Sequence, residues 1–282
     1  MTIIKEVWAD NLTDEFDVIE SLLPRYPIIA MDTEFPGIVA RPLGSFRSQS
    51  DYLYQSLRCN VDLLRIIQLG ITLSDEDGNT PPGVSTWQFN FHFSLDHDTY
   101  AQESIDLLVN SGLDFGQHQV RGIQVEEFGA LLMTSGMVLC PRPVWVSFHS
   151  VFDFGYLIKV LTAQALPADE ADFFNLLQTF FPALYDIKLM MRVGRSLKGG
   201  LQDLADDLGI VRVGQQHQAG SDALLTAQVF FKLRDTFFAN KEKCESFLGQ
   251  LFGLSGGTGV SGNQKVLDPA TALLGSSPTV NS

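Results

Sequence analysis

The fold and the chemistry of this chain are decided by one stretch, Ile28-Ile29-Ala30-Met31-Asp32-Thr33-Glu34-Phe35-Pro36-Gly37. Four apolar residues enter it and Pro36-Gly37 ends it, which predicts a short buried strand over Ile28–Glu34. Side chains alternate between the two faces of a strand, so Asp32 and Glu34 point to the same side. Two neighbouring carboxylates at the end of an apolar strand repel each other and are costly to desolvate. A cation between them relieves that cost, and hard divalent ions such as Mg²⁺ prefer oxygen ligands. The stretch therefore predicts half of a metal site.

Composition limits the classes of protein to which the chain can belong. It has 282 residues with 45% hydrophobic content, enough for one large domain or two small ones and for a sizeable core. The net charge of −14 argues against a protein that coats nucleic acid through a broad basic face, although it allows an enzyme that admits one strand end into a cleft. The three cysteines are widely spaced and odd in number, and residues 1–10 carry charges, so we expect a soluble, intracellular protein without a signal peptide.

Apolar runs and helical periodicity alternate along the chain, and this alternation predicts an α/β fold with a central mixed β-sheet flanked by helices. The expected strands after the first are 66–73, 87–93, 144–149 and 184–187. Strand 87–93 alternates aromatic and polar residues, so we expect its aromatic side chains in the core and Gln88, Asn90 and His92 on a solvated face. His97 and His118 lie in polar segments and are expected at the surface.

Two further acids and a histidine complete a candidate site. Asp153 follows the strand that ends near His149, and ligands collect at the carboxyl ends of strands in open α/β sheets. Asp222 follows His217 by five residues at the start of a predicted long helix. Four carboxylates can hold two Mg²⁺ or Mn²⁺ ions ~4 Å apart, and a nearby histidine can take a proton from water. Taken alone, Asp153 could instead be a helix N-cap, and Asp222 could instead be a first-turn acid that interacts favourably with the helix dipole. His149 is an alternative to His217 as the general base.

At this point the sequence resembles a known family. Asp32, Glu34, Asp153 and His217-x₄-Asp222 resemble the DEDDh group of 3′-to-5′ exonucleases. Longer segments resemble the Caf/Pop-type poly(A) deadenylase subunit of the CCR–NOT complex, namely Met31–Gly37, Leu57–Asp62, Pro82–Phe91, Ser147–Leu157 and Gln216–Asp222. The resemblance covers roughly residues 3–253 and implies an RNase H-like (DEDD exonuclease) fold for a ribonuclease domain over 1–253. Residues 254–282 are rich in Gly and Ser and are predicted to form a disordered tail.

The resemblance also implies a function. Asp32, Glu34, Asp153 and Asp222 would ligate two divalent ions, Mg²⁺ or Mn²⁺, and His217 would be the general base. The implied reaction shortens mRNA poly(A) tails from the 3′ end by two-metal hydrolysis and releases 5′-AMP. The implied partners are poly(A) RNA, the large Not scaffold subunit and a CCR-type deadenylase, with no membrane. The implied location is the cytoplasm, including P-bodies, and the nucleus.

Two residues are weaker candidates for substrate binding. Lys198 lies in the most basic local segment, Arg192–Gly200, and could contact a phosphate, or the segment could be an ordinary exposed loop. Phe35 follows Glu34 and could pack beside the terminal base, or it could belong to the core. Two rival functions also stand: an adaptor that bridges other subunits, and a DNA proofreading exonuclease with the same acid set.

Overall fold

A computed structural model describes residues 3–193, 197–238 and 244–255 of the chain. Residues 256–282, which make up nearly all of the predicted tail, lie outside the described residues, as does Arg195 of the predicted basic segment.

A six-stranded mixed sheet forms the centre of the molecule, as predicted. Its strands are β1 (Ile3–Val7), β2 (Ile28–Glu34), β3 (Gln68–Ser74), β4 (Val84–Asn90), β5 (Val144–Ser147) and β6 (Leu184–Asp186). They lie in the order β1-β4-β3-β2-β5-β6. The β2–β3 and β3–β4 pairs are antiparallel, whereas β1–β4, β2–β5 and β5–β6 are parallel. Strand β2 therefore runs parallel to β5 on one side and antiparallel to β3 on the other.

Helices cover both faces of this sheet. They are α1 (Leu12–Leu22), α2 (Gln49–Leu63), α3 (Gln102–Asn110), α4 (Phe115–Arg121), α5 (Val125–Thr134), α6 (Val151–Thr162), α7 (Glu170–Phe180), α8 (Ile187–Met190), α9 (Leu201–Asp207) and α10 (Ala219–Phe237). In the part of the chain that the structure describes, none of them is both long and apolar enough to cross a bilayer.

The alternation of side chains along β2 divides the core into two layers. Ile29 and Met31 belong to the larger cluster, which includes residues of α1, α5 and α6. Ile28 and Ala30 belong to the second cluster, which α9 and α10 build on the opposite face. Because side chains alternate, Asp32 and Glu34 continue the face of Ile28 and Ala30 and lie on the α10 side.

The prediction for the aromatic strand was half right. Trp87, Phe89, Phe91 and Phe93 are fully buried, as expected. The prediction that the polar residues between them face solvent was wrong for Gln88 and Asn90, which are 3% and 1% exposed. The start of α10 covers this face, and Gln88 accepts a hydrogen bond from the backbone N–H of Gly220.

At the edge of the sheet, one strand was missed and one prediction was wrong. Strand β1 was not predicted, although it pairs with β4. His118, expected in a surface loop, lies in α4 with 1% of its surface exposed, and its Nδ1 is 2.8 Å from the carbonyl oxygen of Phe91. His97 is exposed, as predicted.

Candidate active site

The first two acids, Asp32 and Glu34, lie at the carboxyl end of β2, and the third, Asp153, is hydrogen-bonded to the residue between them. Asp153 Oδ1 accepts hydrogen bonds from the backbone N–H of Thr33 at 2.9 Å and from its hydroxyl at 2.7 Å. Thr33 separates Asp32 from Glu34 in sequence, so these bonds hold the carboxylate of Asp153 against the same strand end. The sequence left open that Asp153 caps a helix, but Ser150 occupies that position of α6 and Asp153 lies in the first turn.

A sharp backbone turn brings Asp153 to this place. His149 adopts a left-handed conformation with φ of 57°, between the end of β5 and the start of α6. The backbone N–H groups of His149 and Ser150 donate to the two carboxylate oxygens of Asp186, at 2.8 and 3.3 Å. Asp186 is fully buried and also accepts from the backbone N–H of Phe252 at 3.0 Å. This buried carboxylate was not singled out from the sequence.

The fourth acid and the histidine come from the start of α10. Asp222 Oδ2 accepts a hydrogen bond from the backbone N–H of His217 at 2.9 Å. His217 has a left-handed backbone, with φ of 61°, just before the helix begins. Ligand atoms of Glu34, His217 and Asp222 lie within 4.8 Å of one another. The structure thus brings together the predicted site residues from the end of β2, the first turn of α6 and the start of α10.

Burial and mutual repulsion raise the pKa values of the acids. Burial, followed by the charges of Asp222 and Asp153, raises the pKa of Asp32 and of Glu34 well above the usual range. Burial raises the pKa of Asp153 to about 6, although its hydrogen bonds with Thr33 oppose the shift. Burial also raises the pKa of Asp222. Four clustered acids that are costly to ionise fit a site for hard divalent cations, which take oxygen ligands and supply the missing positive charge.

His217 and His149 have different surroundings. His217 is only partly buried and faces the carboxylates of Glu34 and Asp222. Burial lowers its pKa, although Asp222 opposes the shift. The His149 ring instead packs edge-on against the ring of Phe252, with 5.0 Å between centroids, and burial lowers its pKa too. The geometry therefore favours His217 over His149 for a proton-transfer role.

The sequence analysis did not identify a positively charged side chain at this site, that of Arg212. Arg212 Nη1 lies 2.6 Å from Asp222 Oδ1 and 3.1 Å from the hydroxyl oxygen of Ser221, and its Nε donates to Gln202 at 2.7 Å. Its charge opposes the upward pKa shifts of Asp32, Glu34 and Asp222. Its only sequence signal is a single arginine in the segment before His217, which does not reveal a contact across ten residues.

The structure also describes the two weaker candidates for substrate binding. The Phe35 ring stacks on Phe152 at 5.3 Å between centroids and also contacts Tyr156 at 5.2 Å, so it packs against the core while staying partly exposed. Lys198 is exposed, and within the described residues it makes no hydrogen bond or ion pair with the four acids. Its role as a phosphate contact stays a prediction.

Comparison with known proteins places this site in a family. The model of the CAF1 family ribonucleases matches residues 7–127 and 132–230 of the chain. The chain belongs to this family. Among curated proteins, it is 53% identical over 256 residues to the poly(A) ribonuclease pop2 of Schizosaccharomyces pombe, which covers 91% of this chain and 76% of that protein.

Solved structures agree with this assignment. The structure of S. pombe Pop2p with Mg²⁺ and Mn²⁺ bound has a TM-score of 0.86 and 52% identity, covering 89% of this chain and 99% of that one. Yeast CAF1, co-crystallised with the NOT1 MIF4G domain, has a TM-score of 0.74 and 32% identity, covering 89% of this chain and 96% of that one. Exonuclease I of E. coli, in a complex with single-stranded DNA, shares the fold alone, at a TM-score of 0.52 and 14% identity over 79% of this chain and 45% of that one. The fold is thus that of the RNase H-like DEDD exonucleases, as predicted.

Proposed function

We propose that this CAF1-family ribonuclease is a poly(A)-specific 3′-to-5′ exoribonuclease that shortens mRNA tails and releases 5′-AMP. The observation that carries the proposal is the convergence of Asp32, Glu34, Asp153 and Asp222 with His217 at one sheet end. The S. pombe relative, named a poly(A) ribonuclease, supports poly(A) as the substrate.

The four acids would hold two divalent ions, Mg²⁺ or Mn²⁺, the ions bound in the S. pombe structure. Bound ions of this kind lower the pKa of water and stabilise the charge that develops on phosphate oxygens. The chain contributes the positions of the ligands: Thr33 fixes Asp153, while Arg212 and the His217 backbone fix the two oxygens of Asp222.

His217 would accept the proton of the attacking water. A general base must be neutral, and burial lowers the pKa of His217 below its ordinary value of 6.5, so the imidazole is neutral at pH 7. The left-handed backbone at His217 leads the chain into α10, and the bond from its N–H to Asp222 links the histidine to the first turn of that helix.

We further propose that the chain acts as a subunit of the CCR–NOT complex, in the cytoplasm, including P-bodies, and in the nucleus. The co-crystal of yeast CAF1 with NOT1 and the Arabidopsis relative named probable CCR4-associated factor 1 homolog 7, 49% identical, support the assembly. The proposed domain organisation stays a ribonuclease domain over 1–253 followed by a tail over 254–282.

The rival functions have less support. An adaptor without activity has no need of four acids gathered at one sheet end, where burial raises their pKa values and makes the ionised forms unfavourable without a cation. Bridging and catalysis are compatible, so we propose both. The likeness to a DNA exonuclease extends to the fold alone.

The test follows a 5′-labelled RNA ending in a run of A, with Mg²⁺, Mn²⁺ or EDTA. We expect stepwise, metal-dependent shortening that slows at the first non-A nucleotide, lost in Asp32→Asn and retained in Asp14→Asn, an exposed acid on α1. No shortening by folded protein with either ion would refute the proposal. A pull-down with a NOT1 MIF4G domain and with a CCR-type deadenylase tests the assembly.

A further inference from the structure

The first turn of α10 is capped from outside its own segment. Gln218 stands at the N-cap position, yet its side chain makes no capping bond to the helix. Two strand residues take the free backbone N–H groups instead: Gly220 N–H donates to Gln88 Oε1 at 2.8 Å, and Ala219 N–H donates to Gln68 Oε1 at 3.2 Å. A local cap would stabilise the helix anywhere, whereas caps from β3 and β4 fix its position relative to the sheet.

Gln218 closes this arrangement into a network. Its Oε1 accepts from Gln88 Nε2 at 2.8 Å and from Gln68 Nε2 at 3.3 Å. Its Nε2 donates to the carbonyl oxygen of Ser111 at 2.7 Å, in the turn after α3. One side chain thus joins the start of α10 to two strands and to a loop.

The helix start also lies as close to the sheet as the backbone allows. A Cβ atom on Gly70, which pairs with Asp32 across β2 and β3, would lie 1.9 Å from the carbonyl oxygen of Ala219. A Cβ atom on Gly220 would lie 2.7 Å from the side chain of Ile4 and 3.0 Å from Gln88 Oε1. The helix start cannot shift toward the sheet, and the amide network prevents it from shifting along it.

The contact between the start of α10 and the sheet lies directly beside the proposed catalytic residues His217 and Asp222. Gln218 directly follows His217, whose backbone is left-handed with φ of 61°. Asp222 is in the same first turn and binds the His217 N–H. We propose that Gln218, held by Gln68 and Gln88, is a positioning residue that sets the location of His217 and Asp222 relative to Asp32 and Glu34. This inference rests on the proposed function of the site.

The variant that tests it is Gln218→Met, which keeps the length of the side chain and removes its hydrogen bonds. Gln88 Nε2 retains Glu6 as a partner and Gln68 Nε2 retains Asn90, so the variant strands neither amide nitrogen. The matched control is Thr86→Val. Thr86 lies on the same strand and face as Gln88, is equally buried, and loses one buried hydrogen bond, to Thr72 at 2.8 Å.

For Gln218→Met we expect kcat to fall by roughly tenfold to hundredfold with KM changed by less than about threefold, because small misplacement of a reacting group has effects of that size. Mn²⁺ binding, measured by calorimetry, should weaken severalfold because Asp222 moves with the helix start. Thr86→Val should change neither, even if its melting temperature falls as far. Equal kcat and equal Mn²⁺ affinity for the two variants would overturn the proposal.

A second comparison uses His217→Ala, assayed at enzyme excess over hours. If Gln218 acts partly through His217, adding Gln218→Met to His217→Ala should lower the rate by a smaller factor than Gln218→Met does in the wild-type background. An undiminished effect in that background would assign Gln218 a role other than positioning His217. An inactive wild-type protein would refute the proposed function instead, and the Mn²⁺ affinities would then decide the positioning role alone.

Discussion

Replacing Asp153 by Asn should stabilise the protein in the absence of metal ions while abolishing its activity. Burial raises the pKa of Asp153 to about 6, from an ordinary value of 3.8. At pH 7.5 the carboxylate is ionised in both states, and its ionisation costs more free energy in the folded protein than in the unfolded chain. One pKa unit corresponds to about 1.4 kcal/mol, so this difference amounts to about 3 kcal/mol.

The geometry suggests that Asn can occupy the site. The carbonyl oxygen of Asn can accept both hydrogen bonds from Thr33, which now reach Asp153 Oδ1. The pKa of about 6 already includes the effect of those bonds, because they favour the ionised carboxylate and oppose the upward shift. The expected gain for Asp153→Asn is therefore about 3 kcal/mol at pH 7.5.

The sign of the pH dependence follows from the raised pKa. Below about pH 6 the folded wild-type protein binds the proton, whereas the unfolded chain stays ionised down to about 3.8. The stability of the wild-type protein therefore rises as the pH falls through this window, and the advantage of Asp153→Asn shrinks toward zero.

Urea unfolding in EDTA at pH 7.5 and pH 4.5 measures both effects, and Asp14→Asn, an exposed acid on α1, controls for the loss of one charge. A variant no more stable than the wild type at pH 7.5, or an advantage that does not change with pH, would refute the reasoning. Adding Mn²⁺ should stabilise the wild-type protein more than Asp153→Asn.

Three further outcomes are expected. Gly70→Ala should destabilise the protein by about 2 kcal/mol or more in urea unfolding and lower kcat, because its Cβ would overlap the backbone of α10. Gly116→Ala, exposed in α4, should cost less and leave kcat unchanged, because the one atom that its Cβ would crowd is Asp114 Oδ1, on a side chain, at 3.1 Å. Deadenylation by the wild-type protein should decline only at pH values below the ordinary histidine range, because burial lowers the pKa of His217, and His217→Ala should lose that acid limb; an unchanged limb would remove His217 from the base role. Asp186→Asn should lower the melting temperature. Its amide nitrogen would replace a carboxylate oxygen that now accepts hydrogen bonds from backbone N–H groups, at a cost of about 1–3 kcal/mol. An unaltered melting temperature would show that the buried carboxylate is dispensable.

Strand β2 could be predicted to its last residue because an apolar run, two acids and Pro36-Gly37 mark both of its ends. Strand β1 could not, since five residues that include Lys5 and Glu6 carry no clear alternation. Its place in the sheet comes from parallel pairing with β4, a long-range contact that no local pattern reveals.

The candidate site was predictable where spacing or resemblance points to function, and not where contacts across the fold define it. The resemblance named the four acids and His217, which the structure brings together. It did not reveal Arg212, whose partner lies across a loop, or the amides of Gln88 and Gln218. Gln88 was expected in solvent because alternation reports that a strand has two different faces, without reporting that a helix start covers the polar one.

The contacts of Asp186 extend the folded enzyme beyond the residues that the family model matches. The family model ends at residue 230, but the carboxylate that orders the turn before α6 also binds the backbone N–H of Phe252, whose ring covers His149. Ser255 N–H then donates to Glu170 at 2.7 Å, on α7. The last described turn therefore helps to stabilise the backbone that positions Asp153. Any shortened version of this enzyme intended for activity has to run through Ser255, because a chain cut at the end of α10 keeps every acid and loses part of what holds one of them in place.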